Sequence, residues 1–394
     1  MARCYLCPRM CGADRDEDEL GFCGMPGKLY VARAALHMWE EPCISGNFGE
    51  EDTFSEEDSE PIMQENENGS LISDAETLDR EGLISIKEKV NPERLNSIKE
   101  KLNLEISNSE DFSEQEDIKQ KTDGIMDNSE KPVDESKISG DKSSKNIPGS
   151  GTVFFSGCTL RCIYCQNYQI AAGKFGKAIT MDRLAEIFLE LQAQGAANIN
   201  LVTPTHYTDQ IICALDKVKH KLHIPVVSNT SGYERVETLK MLDGYVDIYL
   251  TDFKYMTPDL AKKYSKAPDY PEMAKLALAE MVRQTGKPAF DDAGLMKSGV
   301  IVRHLLLPGQ LLDSKRIVRY VYETYGDSVY LSLMNQYTPL PQVKDIPELN
   351  CKVKHKSYEK LINFALNLGV TNAYTQSGEA ISESFIPVFT GENV

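Results

Sequence analysis

Phe154-Phe155-Ser156-Gly157-Cys158-Thr159-Leu160-Arg161-Cys162-Ile163-Tyr164-Cys165 places three thiols within eight residues, in a C-x3-C-x2-C loop directly after the apolar run Thr152 to Phe155. Iron–sulfur clusters are held by cysteine thiolates and the usual cubane takes four, so three protein ligands leave one iron open to a non-protein ligand. An open iron is a site for chemistry. A structural zinc is the alternative, but such sites normally close with four ligands and prefer paired C-x2-C spacings. The sequence offers no obvious fourth ligand beside the triplet.

Downstream of this loop, short apolar runs alternate with amphipathic segments, as in repeated βα units. The pattern predicts strands at Thr152 to Phe155, Asn198 to Thr203, Pro225 to Asn229, Asp247 to Thr251, Val300 to Leu306 and Val329 to Met334. Between them Met181 to Gln194 reads as a helix, with Leu184, Ile187, Phe188 and Leu191 on one stripe. Thr257-Pro258-Asp259 reads as the N-cap and first two positions of another. Such repetition gives an open doubly wound sheet or a full or partial (β/α) barrel, and periodicity alone does not separate them.

Upstream, the texture is different. The chain has 394 residues and a formal charge of -17, nearly all of it from Glu50 to Asn146, where 28 acidic residues face 12 basic ones. That segment holds no Cys, Trp, Tyr or His, so it cannot bury enough apolar surface to offset chain entropy and reads as a mostly disordered insertion. Leu83 to Val90 and Leu95 to Leu102 echo each other with helix-compatible spacing, as a partner-docking hairpin or as local duplication. Three parts follow: a Cys-rich segment over 1–49, the acidic insertion over 50–146, and a catalytic α/β part over 147–394. The acidic balance argues against nucleic acid as a partner. No apolar run approaches 18 residues and Met1-Ala2-Arg3-Cys4 lacks signal-peptide character, so the expectation is a cytoplasmic protein with no membrane association.

The Cys-rich segment carries Cys4, Cys7, Cys11 and Cys23, a C-x2-C-x3-C-x11-C set with Gly12, Gly21, Gly24 and Gly27 among them. Four thiols so close together look like a closed metal site, and tetrahedral zinc and an auxiliary iron–sulfur cluster both fit. Cys43, Cys213 and Cys351 are isolated and read as small apolar residues.

The C-x3-C-x2-C spacing, with aromatic Tyr164 just before the last cysteine, resembles the signature of the radical S-adenosylmethionine (radical SAM) enzymes. In detail the chain is similar to uncharacterised homologues of pyruvate formate-lyase activating enzyme. It shares with them Cys4-Tyr5-Leu6-Cys7-Pro8-Arg9, Glu40-Glu41-Pro42, Cys165-Gln166-Asn167-Tyr168, Asn200-Leu201-Val202-Thr203-Pro204-Thr205-His206-Tyr207, Asp247-Ile248-Tyr249-Leu250 and Val302-Arg303-His304-Leu305. The resemblance implies an α/β fold: a partial (β/α)6 TIM-like barrel with a small Cys-rich N-terminal segment, interrupted by the long disordered acidic insertion. It also implies a 4Fe–4S cluster on Cys158, Cys162 and Cys165, S-adenosyl-L-methionine as cofactor, an electron donor such as flavodoxin or ferredoxin, and a protein substrate of the glycyl-radical type, activated by abstraction of hydrogen from a glycine. Radical modification of a small molecule and a non-enzymatic iron–sulfur electron-transfer or redox-sensing role are the alternatives.

The same resemblance points to strand ends. Thr203 and Thr205 stand where better-studied members carry a Gly-Gly-Glu element that meets the cofactor's amino group. Asn229 and Thr230 fall in an element like the one that meets ribose and carboxylate, and Asp252 and Lys254 resemble an Asp-Leu-Lys element at the fourth strand. Arg303 and His304 lie on the fifth strand, and Gln336 and Tyr337 follow the sixth. Each has a plainer alternative. Polar residues at strand ends are often caps or turn formers, Arg303 can simply pair with Asp252, and His304 can be a satisfied core histidine.

Overall fold

Runs rich in Val, Ile and Leu separated by amphipathic stretches become, in the computed structural model, strands of one sheet with helices between them. The structure describes residues 3–16, 18–38, 40–46, 84–85, 149–172, 175–376 and 394. In chain order the elements are β1 (Leu29–His37), α1 (Pro42–Ser45), β2 (Ile84–Ser85), β3 (Ser150–Phe155), α2 (Tyr168–Ala172), β4 (Lys177–Ile179), α3 (Met181–Ala193), β5 (Ile199–Val202) and α4 (Thr208–Val218). They continue with β6 (Val226–Thr230), α5 (Val236–Met241), β7 (Ile248–Asp252), α6 (Pro258–Ser265), α7 (Tyr270–Thr285), β8 (Ala289–Phe290), β9 (Met296–Leu305), α8 (Leu311–Tyr325), β10 (Tyr330–Met334), α9 (His355–Leu368) and β11 (Ala373–Thr375).

All six expected strands form, with ends displaced by a few residues. Along the sheet they run β3, β5, β6, β7, β9, β10, each parallel to the last. The spatial order never reverses, and this decides between the two architectures, because a doubly wound sheet changes direction at a switch point. The core is therefore a mixed α/β, partial barrel-like sheet. Antiparallel β1 and β4 extend it at the β3 edge, and β11 extends it at the other. The strand β1, which sequence reading passed over, carries the Cys-rich segment onto β3, with His37 opposite Ser150 and Val31 opposite Phe155.

Register sorts the side chains onto two faces, since neighbours along a strand alternate and partners across parallel strands share a face. Asn229, Leu250 and Ile301 are in register, as are Asp252, Arg303 and Ser332 two residues on. This face is the inner one: Cys43 and Ile44 of α1 pack there against Val227, Ile248, Leu250 and Ile301. Thr230, Thr251 and Val302 share the opposite, outer face. The helices complete the packing by burying one stripe each. In α3 the stripe is Leu184, Ile187, Phe188 and Leu191, each side chain worth about 1.5–3 kcal/mol when fully buried. Thr180 caps its start by accepting the Arg183 N–H at 3.1 Å.

Two expectations change. Within Leu83 to Val90, whose spacing is helix-compatible, Ile84–Ser85 form a short strand antiparallel to β11 instead, because an edge strand offers backbone partners that an isolated helix turn lacks. The rest of the 50–146 insertion lies outside the described residues. Thr257 precedes α6 as expected, but its hydroxyl donates to Asp313 and leaves the helix end without a side-chain cap. No helix among the described residues is long and apolar enough to cross a membrane.

Candidate active site

The loop after β3 is held open by backbone that only certain residues allow. Gly157 has φ +88°, and a Cβ there would lie 2.3 Å from the Met25 Cγ and 3.0 Å from the Cys23 carbonyl oxygen. The Cys-rich segment thus presses against the first turn of the cysteine loop at the one position without a side chain. Gly157→Ala is expected to cost about 1–3 kcal/mol from the left-handed backbone alone, with the clash added to it. A thermal melt reads this directly, and an unchanged melting temperature means that the two segments do not pack as described.

Beyond Gly157, Cys158, Cys162 and Cys165 are each partly exposed. The Leu160 N–H donates to Cys158 Sγ at 3.4 Å and the Ser265 hydroxyl donates to Cys162 Sγ at 3.1 Å. Ser265 is itself joined to Tyr255 (2.8 Å), and Tyr255 to Tyr164 (2.7 Å), so the aromatic before the last loop cysteine is tied back to the Cys162 sulfur through hydroxyls. Tyr337 also packs on Tyr164, at 6.2 Å between ring centroids, with its hydroxyl on the Leu349 carbonyl. Burial pushes the Cys162 thiol up, with Lys254 pulling it the other way, and burial pushes Cys165 well up. A thiol must lose its proton to ligate, so loading the loop releases protons.

Below Cys162 a chain of charges descends the inner face. Burial works against the charge on Lys254, but Asp252 and the Cys162 sulfur outweigh it and raise its pKa. Its ammonium lies 2.6 Å from Asp252 Oδ2. Asp252 Oδ1 accepts from Arg303 Nε at 3.1 Å, and Arg303 reaches Asn229 Oδ1 at 2.6 Å and Glu40 Oε2 at 3.3 Å. Glu40 Oε1 completes the chain by accepting from Asn200 at 2.9 Å and Asn229 at 3.3 Å. Burial opposes ionisation of Asp252, yet Lys254 and Arg303 together hold it below the ordinary aspartate range. Burial raises Glu40 and Glu41 above theirs, against the pull of Arg303.

Four of the residues expected at strand ends, Asn229, Asp252, Lys254 and Arg303, therefore come together in one network, and the Arg303–Asp252 pairing that the sequence allowed is present. Thr205 and Thr230 do not join it. The Thr205 hydroxyl donates to Glu234 at 2.9 Å, while Thr230 lies on the outer face, accepts the Gly232 N–H at 3.0 Å and meets Thr251. Strand alternation explains this: Thr230 follows inward-facing Asn229 and must point the other way. Thr203 follows β5 directly with φ +60°, an outlier for a β-branched residue, and its N–H donates to the Asn229 carbonyl. His304 is buried, with Nδ1 on the Phe253 carbonyl at 2.7 Å and Nε2 without a hydrogen-bond partner among the described residues. Gln336 accepts a long contact from Gln166 through its carbonyl and donates its side-chain amide to Met334 Sδ at 3.7 Å.

The donor set suits an iron–sulfur cluster: three thiols on one short loop, a hydroxyl donating to one of them and a cation beside the same sulfur. Among the described residues no group of three or more His, Cys, Asp or Glu side chains surrounds a single ion position. A cubane attaches each thiolate to a different iron and so spaces its sulfurs wider than one ion does.

Residues 152–321 match the family model of the radical SAM superfamily. Over these residues the chain resembles the radical SAM superfamily. The matched stretch starts within β3 and runs into α8. An uncharacterised protein of Methanocaldococcus jannaschii is 28% identical over 226 residues, covering 55% of this chain and 62% of the relative. The chain thus matches less than two thirds of that relative's length. Among solved structures, SuiB of Streptococcus suis bound to the precursor peptide SuiA is similar at 14% identity and a TM-score of 0.39, over 56% of this chain and 46% of that one. The FeFe-hydrogenase maturase HydG from Carboxydothermus hydrogenoformans is similar at 12% identity and a TM-score of 0.36, over 59% of each chain.

Outside the matched stretch, the Cys-rich segment folds through tight turns. The Cys4 N–H donates to Ala13, Met10 N–H to Cys7 and Gly12 N–H to Cys4. Cys11 Sγ and Cys23 Sγ flank Gly21, and Arg15 donates to Cys23 Sγ at 3.4 Å. Cys7 and Cys23 are buried while Cys11 is exposed, and burial pushes the Cys7 thiol up to about 12.

Three contributors escaped sequence reading. Glu40 lay in a recognised stretch, but nothing there said that it would enter the sheet's inner face. Ser265 carries no local signal at all. Glu234 is fully packed, and burial raises its pKa to about 8 against the pull of Thr205 and Thr230. The folded group is then protonated where the unfolded one, near 4.5, is not. Folding takes up a proton in that window, so this contribution to stability is complete below about pH 4.5 and is lost as pH rises towards 8, by up to about 1.4 kcal/mol per unit. Glu234→Gln, which mimics the neutral acid, is expected to flatten that part of the stability–pH curve. An identical slope in variant and parent means that Glu234 is ionised in the fold.

Proposed function

We propose that Cys158, Cys162 and Cys165 hold a 4Fe–4S cluster and that the network behind Cys162 receives S-adenosyl-L-methionine. The observation that carries this reading is the convergence of Lys254, Asp252, Arg303 and Asn229 on one side of the cysteine loop, at the carboxyl ends of parallel strands, where barrel enzymes build their sites. When bound, the cluster supplies the electron that splits the sulfonium reductively into methionine and a 5′-deoxyadenosyl radical, which abstracts hydrogen from the substrate. The chain's own residues orient and insulate. Lys254 and Arg303 offer cations to the cofactor's carboxylate, Asp252 and Glu40 offset them, Thr203 presents a strained backbone at the strand end, and Thr205 and Thr230 support this rim through Glu234. Tyr164 and Tyr255 close the loop's apolar side against water.

The substrate reading rests on the resemblance to activating enzymes: hydrogen is taken from a glycine of a partner protein, and the electron arrives from a flavodoxin or ferredoxin in the cytoplasm. A cleft lined by Leu307, Gln310, Leu311, Cys351, Lys352 and Lys354 beside the end of β9 supplies an approach for a peptide segment. Cys4, Cys7, Cys11 and Cys23 are the candidate ligands of a second metal site, of zinc or of an auxiliary iron–sulfur cluster, although among the described residues they do not surround a single ion position. The substrate class is tested by adding deuterated cell extract, split into protein and small-molecule fractions, to the reduced enzyme. Deuterium entering 5′-deoxyadenosine from the protein fraction supports the activating role. Transfer only from the small-molecule fraction replaces it with small-molecule modification.

A further inference from the structure

Arg9 follows Cys7 by two residues, yet its guanidinium is spent on the cysteine loop of the barrel. Nε donates to the Thr159 carbonyl at 2.9 Å and Nη2 to the Leu160 carbonyl at 3.2 Å. These two carbonyls lie between Cys158 and Cys162. Nη2 also donates to the Ser265 carbonyl at 3.0 Å and Nη1 to the Lys266 carbonyl at 2.6 Å, at the end of α6, where the Ser265 hydroxyl meets Cys162 Sγ. Phe22, the neighbour of Cys23, lies under the guanidinium at 4.1 Å, and Tyr233 lies 5.1 Å from it.

One planar cation therefore ties together three stretches far apart in sequence: the Cys-rich segment, the loop between two of the barrel's cysteines, and the helix end that donates to the second of them. A guanidinium presents its N–H groups in a rigid fork, so the four carbonyls must keep fixed relative positions to be served at once. An ammonium has three donors on a flexible stem and cannot hold the same set. The loop itself lacks regular secondary structure between Gly157 and Asn167 and has Arg161 at φ +59°, so its shape has to come from outside contacts.

We propose that Arg9 is a positioning residue for the barrel's cysteine loop, through which the Cys-rich segment fixes Cys158 and Cys162 and sets the Ser265 hydroxyl on the Cys162 sulfur. The claim deepens the function proposed above, and its first readout does not depend on a cluster being bound. In the full-length chain without metal, Arg9→Gln is expected to speed amide hydrogen exchange over residues 157–166 and 264–267 on the order of tenfold, the value of one charge-assisted hydrogen bond, with β6 and β7 unchanged. Arg9→Lys is expected to fall between parent and Arg9→Gln. The second readout is spectroscopic: after anaerobic reconstitution, the bound cluster in Arg9→Gln is expected to show a shifted midpoint potential and altered g-values, because the hydrogen bond to Cys162 Sγ is displaced. A merely structural Arg9 would change the melting temperature and leave both unmoved. Should Arg9→Gln not fold, Phe22→Leu, which removes the ring beneath the guanidinium, is expected to give the same exchange pattern in smaller measure. Exchange in residues 157–166 equal to the parent in every folded variant overturns the proposal. A parent chain that takes up no cluster refutes the proposed function and leaves the exchange result to decide this inference.

Discussion

Cys162→Ala is expected to reduce formation of 5′-deoxyadenosine to background and to remove the absorbance that bleaches on reduction. Of the three loop cysteines this one has the most specific surroundings: the Ser265 hydroxyl 3.1 Å away and the Lys254 cation, which pulls its thiol pKa down against burial. Three thiolates are the fewest that hold a cubane with one iron open, and two leave a second corner to solvent. The Cys4, Cys7, Cys11 and Cys23 set is untouched by the change, so any metal bound there should persist at the parent level and serve as a control for folding. Cys213→Ala, which alters a cysteine outside both sets, should behave as the parent. Iron analysis, absorbance before and after dithionite, and chromatography of the nucleoside products check the prediction together. Undiminished nucleoside formation by Cys162→Ala would place the reaction elsewhere.

Arg303→Ala should be the most destabilising single change on the inner face, by about 3–5 kcal/mol, because it strands two buried carboxylates at once. Arg303 serves Asp252 at 3.1 Å and Glu40 at 3.3 Å, with side chains 17% and 8% exposed, and it also satisfies Asn229. Glu40, the less exposed of the two, is the carboxylate that solvent can least compensate. Lys254 still faces Asp252, so the larger part of the penalty should fall on Glu40 and be recovered in the double variant Arg303→Ala, Glu40→Gln. Denaturant unfolding at neutral pH measures both. A loss below about 1 kcal/mol, the range of exposed pairs, means that solvent reaches this network.

These two sites differ in how far the sequence announced them. The cysteine loop was legible because its chemistry lies within eight consecutive residues, and the six parallel strands because each is a short apolar run with its own turn signals. Which way the strands were ordered was not legible, since periodicity reports the face of a strand and says nothing of its neighbour. The strand-end residues were half legible. Asn229, Asp252, Lys254 and Arg303 meet, but Thr230, next to Asn229, faces outward by simple alternation, and no motif encodes that. Glu40, Ser265, Glu234 and Arg9 reach the site across separations of tens to hundreds of residues, from the link between β1 and α1, a helix end, a loop and a Cys-rich turn. Their roles depend on tertiary proximity. Of these only Arg9 and Glu40 stood in stretches that sequence comparison had marked.

The central claim is that this loop and the charges behind it cleave S-adenosyl-L-methionine, and product formation tests it most directly. Full-length protein is reconstituted anaerobically with iron and sulfide, reduced, and given S-adenosyl-L-methionine without further substrate. The account predicts 5′-deoxyadenosine and methionine in equal amounts, both absent from the variant lacking Cys158, Cys162 and Cys165. A reconstituted, reduced protein that carries its cluster and yields no 5′-deoxyadenosine would contradict it.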